Sequence, residues 1–234
     1  MEQVLITGAN RGIGLELVRC YLAAGAKVHA VCRRSSSALQ ELANDERLQI
    51  HTLDLLDDLA LSELANHVTG PLDILLNNAG TMGRASFAQH GLEAGRFGDF
   101  DRQDWHRIFD INVCTPMSLT QAFADHLERS ERGRVVMVSS MLGSMTQNTV
   151  GGFYGYRASK AGLNALVASL GVDLSPRGIM AVAVHPGFVR TDMSGPMAEI
   201  EAAESAAGIA AFIDSLTVEQ SGGFFDWMGR RMPW

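Results

Sequence analysis

The sequence predicts an α/β fold, a single domain over residues 1–234 in which a doubly wound parallel sheet carries helices on both faces. Short runs of continuous apolar residues alternate along the chain with longer amphipathic runs, and no segment repeats. Strands that are apolar on both faces are typical of a parallel sheet covered by helices. Right-handed crossovers between such strands produce a doubly wound sheet.

The predicted elements follow one another in the order that such a sheet requires. The apolar runs that predict strands lie at 4–7, 27–32, 48–53, 72–80, 134–140 and 180–187. Helical patterns follow each of the first three strands, the first ending near Ala24, and two longer ones span about 102–129 and 154–174. Segment 83–100 is glycine-rich and predicts a surface excursion, and segment 191–208 begins as a loop and regains a helical pattern near Glu199.

The composition limits the classes of function. The chain has 234 residues, of which 47% are hydrophobic and 19% charged, so it has enough apolar material for one sizeable core. The formal net charge of −7 argues against a nucleic-acid partner, because phosphate binding needs a basic face.

The cysteines and histidines argue against two further kinds of site. The three cysteines stand singly, without a CxxC spacing, and the seven histidines are dispersed. An odd cysteine count favours a reducing compartment, and dispersed histidines predict no metal site. The chain shows no signal segment and no apolar run near the roughly 18 residues of a membrane span. We therefore expect a cytoplasmic protein with no membrane partner.

A glycine-rich turn, TGANRGIG, lies between the first strand and the first helix. Its glycines leave room for a phosphate to approach the backbone and the helix N-terminus. A merely structural turn is the alternative, but the position in the first strand–helix unit favours a dinucleotide. The predicted contacts are Gly8, Asn10, Arg11, Gly12, Ile13 and Gly14.

The end of the second strand predicts the kind of dinucleotide. Enzymes that prefer NAD place an acidic residue there for the ribose hydroxyls. This chain has Cys32, then Arg33 and Arg34, and Arg11 lies in the glycine turn. Cations without a carboxylate favour a 2′-phosphate, so NADP(H) is the preferred cofactor and NAD(H) a possible one. The alternative is that Arg33 or Arg34 is a solvated surface side chain.

Further candidate cofactor contacts follow the third and fourth strands, at the carboxyl edge where ligands bind in open α/β sheets. Asp54 and Leu55 follow the third strand, and the sequence NNAG, with Asn78, Ala79 and Gly80, follows the fourth. Asp54 could accept a hydrogen bond from the adenine amino group. Its alternative role is to cap the next helix, which Asp57 could also do.

Tyr156 and Lys160 form a Tyr-x-x-x-Lys pair at the start of the predicted helix 154–174. Residues four apart share a helix face, so a phenol and an ammonium group can point at one ligand. A tyrosine has an ordinary pKa near 10, and a nearby cation lowers that pKa toward the working range of a proton donor. The spacing alone is common, and it identifies a candidate rather than a catalytic site.

Seven motifs in order resemble the short-chain dehydrogenase/reductase family over nearly the whole chain. They are TGANRGIG, Asp54, NNAG, DINV with Asn112, MVSS, YRASK and HPGFVRTDM. The resemblance implies a Rossmann-type fold and reversible hydride transfer between NAD(P) and an alcohol or carbonyl. It implies that Tyr156 is the general acid/base, that Lys160 lowers its pKa and holds the nicotinamide ribose, and that Asn112 holds a water in the proton relay.

The resemblance also implies a substrate-polarising serine and a last group of cofactor contacts. The family's serine is the second of its pair, which makes Ser140 the candidate rather than Ser139, since adjacent strand residues face opposite sides. Thr191 would bind the nicotinamide carboxamide, and Pro186, Gly187 and Val189 precede it.

The segment between Ser140 and Tyr156 is a few residues longer than in most family members. This length, the sequence before the lysine and the C-terminal SGGFFDWMGRRMPW resemble the C-factor-like and sniffer-like carbonyl reductases. Tyr154 is then expected in a loop or pocket wall. The expected pocket walls, which core packing would explain equally well, are Met141, Leu142, Met145, Phe153, Phe188, Met193 and Met197.

These residues predict the class of substrate and leave two other functions open. Apolar walls without a cation predict a small, apolar aldehyde, ketone, diketone or quinone. The alternatives are an NAD-linked alcohol dehydrogenase and a non-enzymatic signalling or regulatory protein that keeps the nucleotide site. Family members associate through long helices, so we expect a homodimer or homotetramer through 102–129 and 158–170, unless those apolar faces only cover the sheet.

Overall fold

Seven parallel strands form one sheet in the computed structural model, which describes residues 1–84, 88, 91 and 95–234. The strands are β1 (Gln3–Thr7), β2 (Lys27–Cys32), β3 (Leu48–Thr52), β4 (Ile74–Asn77), β5 (Arg134–Val138), β6 (Met180–His185) and β7 (Phe224–Asp226). Their order across the sheet is β3-β2-β1-β4-β5-β6-β7. The order reverses between β1 and β4, and a crevice for a ligand opens at such a reversal, beyond the carboxyl ends of the strands.

Helices connect the strands and cover the sheet. The helices of the described residues are α1 (Gly12–Ala23), α2 (Ser37–Gln40), α3 (Asp58–His67), α4 (Arg102–Phe109), α5 (Thr115–Glu128), α6 (Tyr154–Asp173) and α7 (Ala202–Ser215). A π-helical segment, Asp110–Cys114, joins α4 to α5. Such segments are rare and often lie at functional sites.

Both faces of the sheet are buried, as the continuous apolar strands predict. Ile6 of β1 faces a cluster that includes Leu17 of α1 and Ile209 of α7. Leu5, the preceding residue, faces the other cluster with Phe123 of α5. All these side chains are inaccessible to solvent, and full burial of one such side chain contributes about 1.5–3 kcal/mol. The prediction of a doubly wound sheet is confirmed.

The structure differs from the expected elements in three places. The helix after β2 is only the single turn α2, and the pattern at 102–129 is interrupted by the π-helical segment. A seventh strand, β7, was not predicted, because its three residues are too few to form an apolar pattern. Within the expected excursion at 83–100, residues 85–87, 89–90 and 92–94 lie outside the described residues.

None of the helices in the described ranges is long and apolar enough to cross a membrane. No group of three or more His, Cys, Asp or Glu side chains that could hold a metal ion occurs among those residues either.

Candidate active site

A cleft of ≈ 680 Å³ lies beyond the carboxyl ends of the central strands. Its wall includes every predicted cofactor contact except Gly187 and Val189: Gly8, Asn10, Arg11, Gly12, Ile13, Gly14, Arg33, Asp54, Leu55, Asn78, Ala79, Gly80, Tyr156, Lys160, Pro186 and Thr191. Val189 is buried beneath the segment after β6, and Gly187 turns the chain there with φ +88°. The sequence-distant residues of the seven motifs therefore meet in one place.

The glycine turn has the shape of a phosphate cradle. Gly8 and Gly12 have φ values of +66° and +52°, which favour glycine. Gly14 is required for a different reason: a Cβ on it would lie 2.2 Å from the Gly8 carbonyl oxygen and 2.6 Å from Asn78 Nδ2. The start of α1 can therefore approach the strand ends closely and present its free N–H groups to a dinucleotide phosphate.

Thr7, the first residue of the TGANRGIG motif, holds the floor of the cleft, a role that the sequence analysis did not assign to it. Its Oγ1 accepts hydrogen bonds from the backbone N–H groups of Asn78 and Ala79, both at 3.0 Å. Asn78 in turn donates through Nδ2 to the Thr7 carbonyl oxygen at 2.9 Å. These bonds join the ends of β1 and β4 and keep the NNAG turn against the glycine turn.

The far end of the cleft carries the predicted cations. Arg33 and Arg34 are exposed and both line it, directly after the buried Cys32. Arg11 forms an ion pair with Asp192 (2.7 Å) across the cleft mouth, a partner that the sequence did not indicate. Both side chains are largely exposed, so the pair contributes little to stability.

The N-terminal cap of α3 decides between the two possible roles of Asp54. Asp57 caps α3, accepting hydrogen bonds from the N–H groups of Leu59 (3.0 Å) and Ala60 (3.2 Å). Asp54 instead accepts one hydrogen bond from the Leu56 N–H at 3.1 Å and lines the cleft. The capping alternative for Asp54 is wrong, and its carboxylate can face a bound nucleotide.

The structure places Ser140, and not Ser139, against Tyr156. Ser140 lies beside Tyr156, where its side chain acts to lower the pKa of the phenol, and Ser140 Oγ accepts from the Leu142 N–H at 3.1 Å. Ser139 points to the other side of its strand, where its hydroxyl donates to Asn164 Oδ1 at 2.6 Å. The alternation of side chains along the extended backbone produces this choice.

Lys160 lies beneath the ring of Tyr156. Its Nζ is 5.8 Å from the ring centroid and donates a hydrogen bond of 2.7 Å to the Val138 carbonyl oxygen. A Cβ on Gly80 would lie 3.3 Å from Asn112 Oδ1, which is a tight contact, and 3.5 Å from Lys160 Nζ, which is an ordinary one. The lysine side chain is buried and directed into the cleft floor by these contacts.

Asn112 lies in the π-helical segment, fully buried, and fastens two parts of the site together. Its Oδ1 accepts from the Thr81 N–H at 2.8 Å, and its Nδ2 donates to the Thr81 carbonyl oxygen at 2.8 Å and to Ser159 Oγ at 2.9 Å. The side chain thus ties the turn after β4 to α6, one residue before Lys160. The water contact that the resemblance implies for Asn112 stays a prediction.

The pKa of Tyr156 does not change in the expected direction. Burial raises the pKa to about 12, although the neighbouring Ser140 side chain opposes the rise. Burial also lowers the pKa of Lys160 to about 8. The sequence shows the lysine beside the tyrosine but not the loss of water around both groups, which disfavours each charged form. The lowering of the Tyr156 pKa by Lys160 that the resemblance implies stays a prediction.

Three of the seven expected pocket walls surround Tyr156. Leu142, Phe153 and Met193 pack with it, together with Met82, which the sequence analysis missed. The other four, Met141, Met145, Phe188 and Met197, are exposed, with exposures from 39% to 74%. Tyr154 is also exposed and lines a neighbouring cavity of ≈ 240 Å³ with aromatic walls. Of the two places expected for it, a loop or a pocket wall, it has the second.

Comparison with known proteins agrees with this geometry. The short chain dehydrogenase family matches residues 2–202. C-signal from Myxococcus xanthus is 43% identical over 169 residues, which are 72% of this chain and 96% of that protein. The carbonyl reductase Sniffer of D. melanogaster has a TM-score of 0.92 at 32% identity, over 100% of both chains. An NADPH-bound carbonyl reductase from chicken fatty liver has a TM-score of 0.90 at 30% identity, over 100% of this chain and 99% of that one. The chain therefore belongs to the short-chain dehydrogenase family.

Proposed function

We propose that the protein is an NADPH-dependent reductase that converts a carbonyl group of an aldehyde, ketone, diketone or quinone to an alcohol. The observation that carries the proposal is the juxtaposition of three groups: Ser140 lies beside Tyr156, and Lys160 Nζ is 5.8 Å from the Tyr156 ring centroid. Tyr156 and Lys160 line the same cleft as the glycine turn. A hydroxyl pair of this kind can bind one carbonyl oxygen with two donors.

Tyr156, Ser140 and Lys160 have different roles in the proposed reaction. The reduced nicotinamide, when bound, supplies the hydride for the carbonyl carbon. Tyr156 donates its phenolic proton to the carbonyl oxygen, and Ser140 donates a hydrogen bond to the same oxygen as negative charge develops there. Lys160, anchored on the Val138 carbonyl, holds the nicotinamide ribose. Tyr156 then regains its proton from solvent, so the products are the alcohol and the oxidised cofactor.

The protonation of Tyr156 favours the reductive direction. With a pKa of about 12, the phenol carries its proton at neutral pH and is ready to act as the acid. Alcohol oxidation needs the phenolate as base, and only about 1 molecule in 10⁵ has it at pH 7.

The cleft supports NADP(H) as the preferred cofactor. Arg33 and Arg34, directly after β2, and Arg11 in the glycine turn line the cleft, and guanidinium groups bind phosphate through paired hydrogen bonds. The relative from chicken fatty liver, 30% identical, has NADPH bound. NAD(H) remains the alternative, and it would make the protein an NAD-linked alcohol dehydrogenase. Tighter binding of NADH than of NADPH would select that alternative.

The experiment that tests the function measures NADPH consumption by the purified protein with a panel of diketones, quinones and aldehydes. We expect turnover with at least one compound and a loss of at least about 100-fold in Tyr156→Phe, with NADPH affinity unchanged. Tyr154→Phe is the matched control, because it removes a hydroxyl from an exposed tyrosine two residues away. Full activity in Tyr156→Phe would exclude the proposed proton donor.

A second candidate function rests on the relative C-signal, whose name denotes a signal and which is 43% identical to this chain. A non-enzymatic regulatory protein would keep the nucleotide cleft but would not need a proton donor beside it. Tight NADPH binding without turnover across the whole panel would favour this function over the reductase.

A further inference from the structure

Three consecutive residues before α6 have left-handed backbone conformations. Gly151, Gly152 and Phe153 have φ values of +66°, +68° and +48°. Phe153 is the only non-glycine residue with positive φ in the described part of the chain, and its side chain is 5% exposed. Such a conformation persists in a bulky residue only when the surroundings impose it.

Arg157 imposes it. Its backbone N–H donates to the Phe153 carbonyl oxygen at 2.8 Å. Its side-chain Nε donates to the carbonyl oxygens of Gly152 (3.1 Å) and Gly151 (3.2 Å). One residue therefore binds the three successive carbonyls of the left-handed turn.

Segment 141–153 joins Ser140 to Tyr156, and the Arg157 guanidinium contacts its beginning as well as its end. Its Nη1 donates to the Leu142 carbonyl oxygen at 3.3 Å, and Leu142 lies two residues after Ser140. The left-handed turn lies directly before Tyr156. Arg157 therefore bridges the beginning and the end of the segment 141–153.

The chemistry of these contacts requires arginine rather than a simple cation. All side-chain acceptors of Arg157 are neutral carbonyl oxygens, and no ion pair joins it to a carboxylate of the described residues. The group is half-buried, and burial lowers its pKa. Only a planar fork with several N–H donors can bind both ends of the segment at once.

We propose that Arg157 is a positioning residue for the proton-donating pair. By joining the two ends of segment 141–153 it sets the separation of Ser140 and Tyr156 and holds Phe153 as a wall against the tyrosine ring. Arg157 does not line the dinucleotide cleft, so its effect falls on the chemical step rather than on cofactor binding. This inference rests on the proposed reductase function.

The test compares Arg157→Met, which keeps the length of the side chain and removes its donors, with Arg157→Lys and with Arg132→Met. Arg132 is the matched control, because its guanidinium also donates to two backbone carbonyls, those of Asp214 (3.0 Å) and Leu216 (3.4 Å), away from the site. We expect kcat for carbonyl reduction to fall at least about 10-fold in Arg157→Met and the Kd for NADPH to stay within about 2-fold. Arg157→Lys should also lose activity, since one ammonium group cannot bridge both ends.

A second measurement separates positioning from general stability and from the proposed function. Hydrogen exchange should speed up in Arg157→Met at the amides of segment 141–153, with the sheet amides unchanged. Wild-type kcat or unchanged exchange in segment 141–153 would overturn the inference. If wild-type protein reduces no carbonyl, the exchange result still decides whether Arg157 holds the segment. If Arg157→Met does not fold, Arg157→Lys carries both measurements.

Discussion

At the scale of one residue, burial of Tyr156 determines which protonation state is available to the proposed reaction. Its pKa of about 12 lies above the ordinary value because the ring is removed from water. The group therefore stays protonated from pH 6 to pH 8, and the supply of acid for reduction does not change over that range. The phenolate needed for oxidation increases tenfold with each pH unit over the same range.

We therefore predict different pH dependences for the two directions. The rate of carbonyl reduction should be nearly constant from pH 6 to pH 8, whereas oxidation of the alcohol product should rise about tenfold per unit. Initial rates with saturating cofactor at pH 6, 7 and 8 provide the measurement. An oxidation rate that does not vary with pH would show that the base is already ionised and that the pKa lies below 6.

Arg33 supports a second prediction at this scale. Replacement by aspartate should lower NADPH affinity relative to NADH by at least about tenfold, or about 1.4 kcal/mol, because a carboxylate repels the 2′-phosphate and can accept from ribose hydroxyls. Titration of both cofactors by nicotinamide fluorescence gives the ratio. Arg34→Asp is the matched control, and a shift in that variant alone would transfer the role to Arg34.

The sequence predicts some of these residues and not others for a physical reason. Tyr156 and Lys160 stand at a helical spacing of four, and strand alternation separates Ser140 from Ser139. The roles of these three residues, however, are implied by the resemblance of motifs along nearly the whole chain. Thr7 lies in the TGANRGIG motif, but its contact with the NNAG turn, like the packing of Met82, joins residues far apart in sequence and follows from the fold alone.

The glycine turn allows a prediction at the scale of an element. Gly14→Ala would place a methyl group 2.2 Å from the Gly8 carbonyl oxygen, so α1 must move away from the strand ends. We expect a loss of about 1–3 kcal/mol in the free energy of unfolding and at least about tenfold in NADPH affinity. Urea unfolding and cofactor titration measure the two effects.

Gly162→Ala is the matched control for this prediction. Gly162 lies inside α6, and its added Cβ would be 3.7 Å from the nearest atom, the distance of an ordinary contact. Alanine favours a helix interior over glycine by about 0.5–1 kcal/mol, so the control should gain stability. Equal losses in both variants would show that the close approach at Gly14 does not matter.

The elements differ in how well the sequence could predict them. Helix α6 and strands β1 to β6 have apolar patterns of sufficient length, and the predictions for them are confirmed. The π-helical segment Asp110–Cys114 has no pattern of its own, because its geometry follows from the contacts of Asn112 with Thr81 and Ser159.

At the scale of the whole molecule, the fold class could be predicted and the assembly could not. The apolar side chains of α5 and α6, among them Phe123, Leu163 and Val167, pack against the sheet. This packing is the alternative reason for their apolar faces that the sequence left open. A homodimer or homotetramer therefore stays a prediction, which sedimentation of the purified protein can test.

The buried histidines determine how the whole molecule responds to acid. His29 is inaccessible to solvent in β2, and its Nδ1 is hydrogen-bonded to Nε2 of His51 in β3 at 3.0 Å. Burial lowers the pKa of His29 to about 3 and that of His185 to about 4, and it lowers the pKa of His51 as well. His29 and His185 therefore remain neutral in the folded protein under mildly acidic conditions.

Acid should destabilise the fold below about pH 6.5, where the histidines of the unfolded chain take up protons that the folded chain cannot accept. From pH 7 to pH 5, His29 alone should cost about 2 kcal/mol of unfolding free energy, and the loss should continue toward its folded pKa of about 3. Urea unfolding at pH 7, 6 and 5 measures the slope. His29→Leu should make the slope shallower. An equal slope in wild-type protein and His29→Leu would mean that His29 is protonated within the fold.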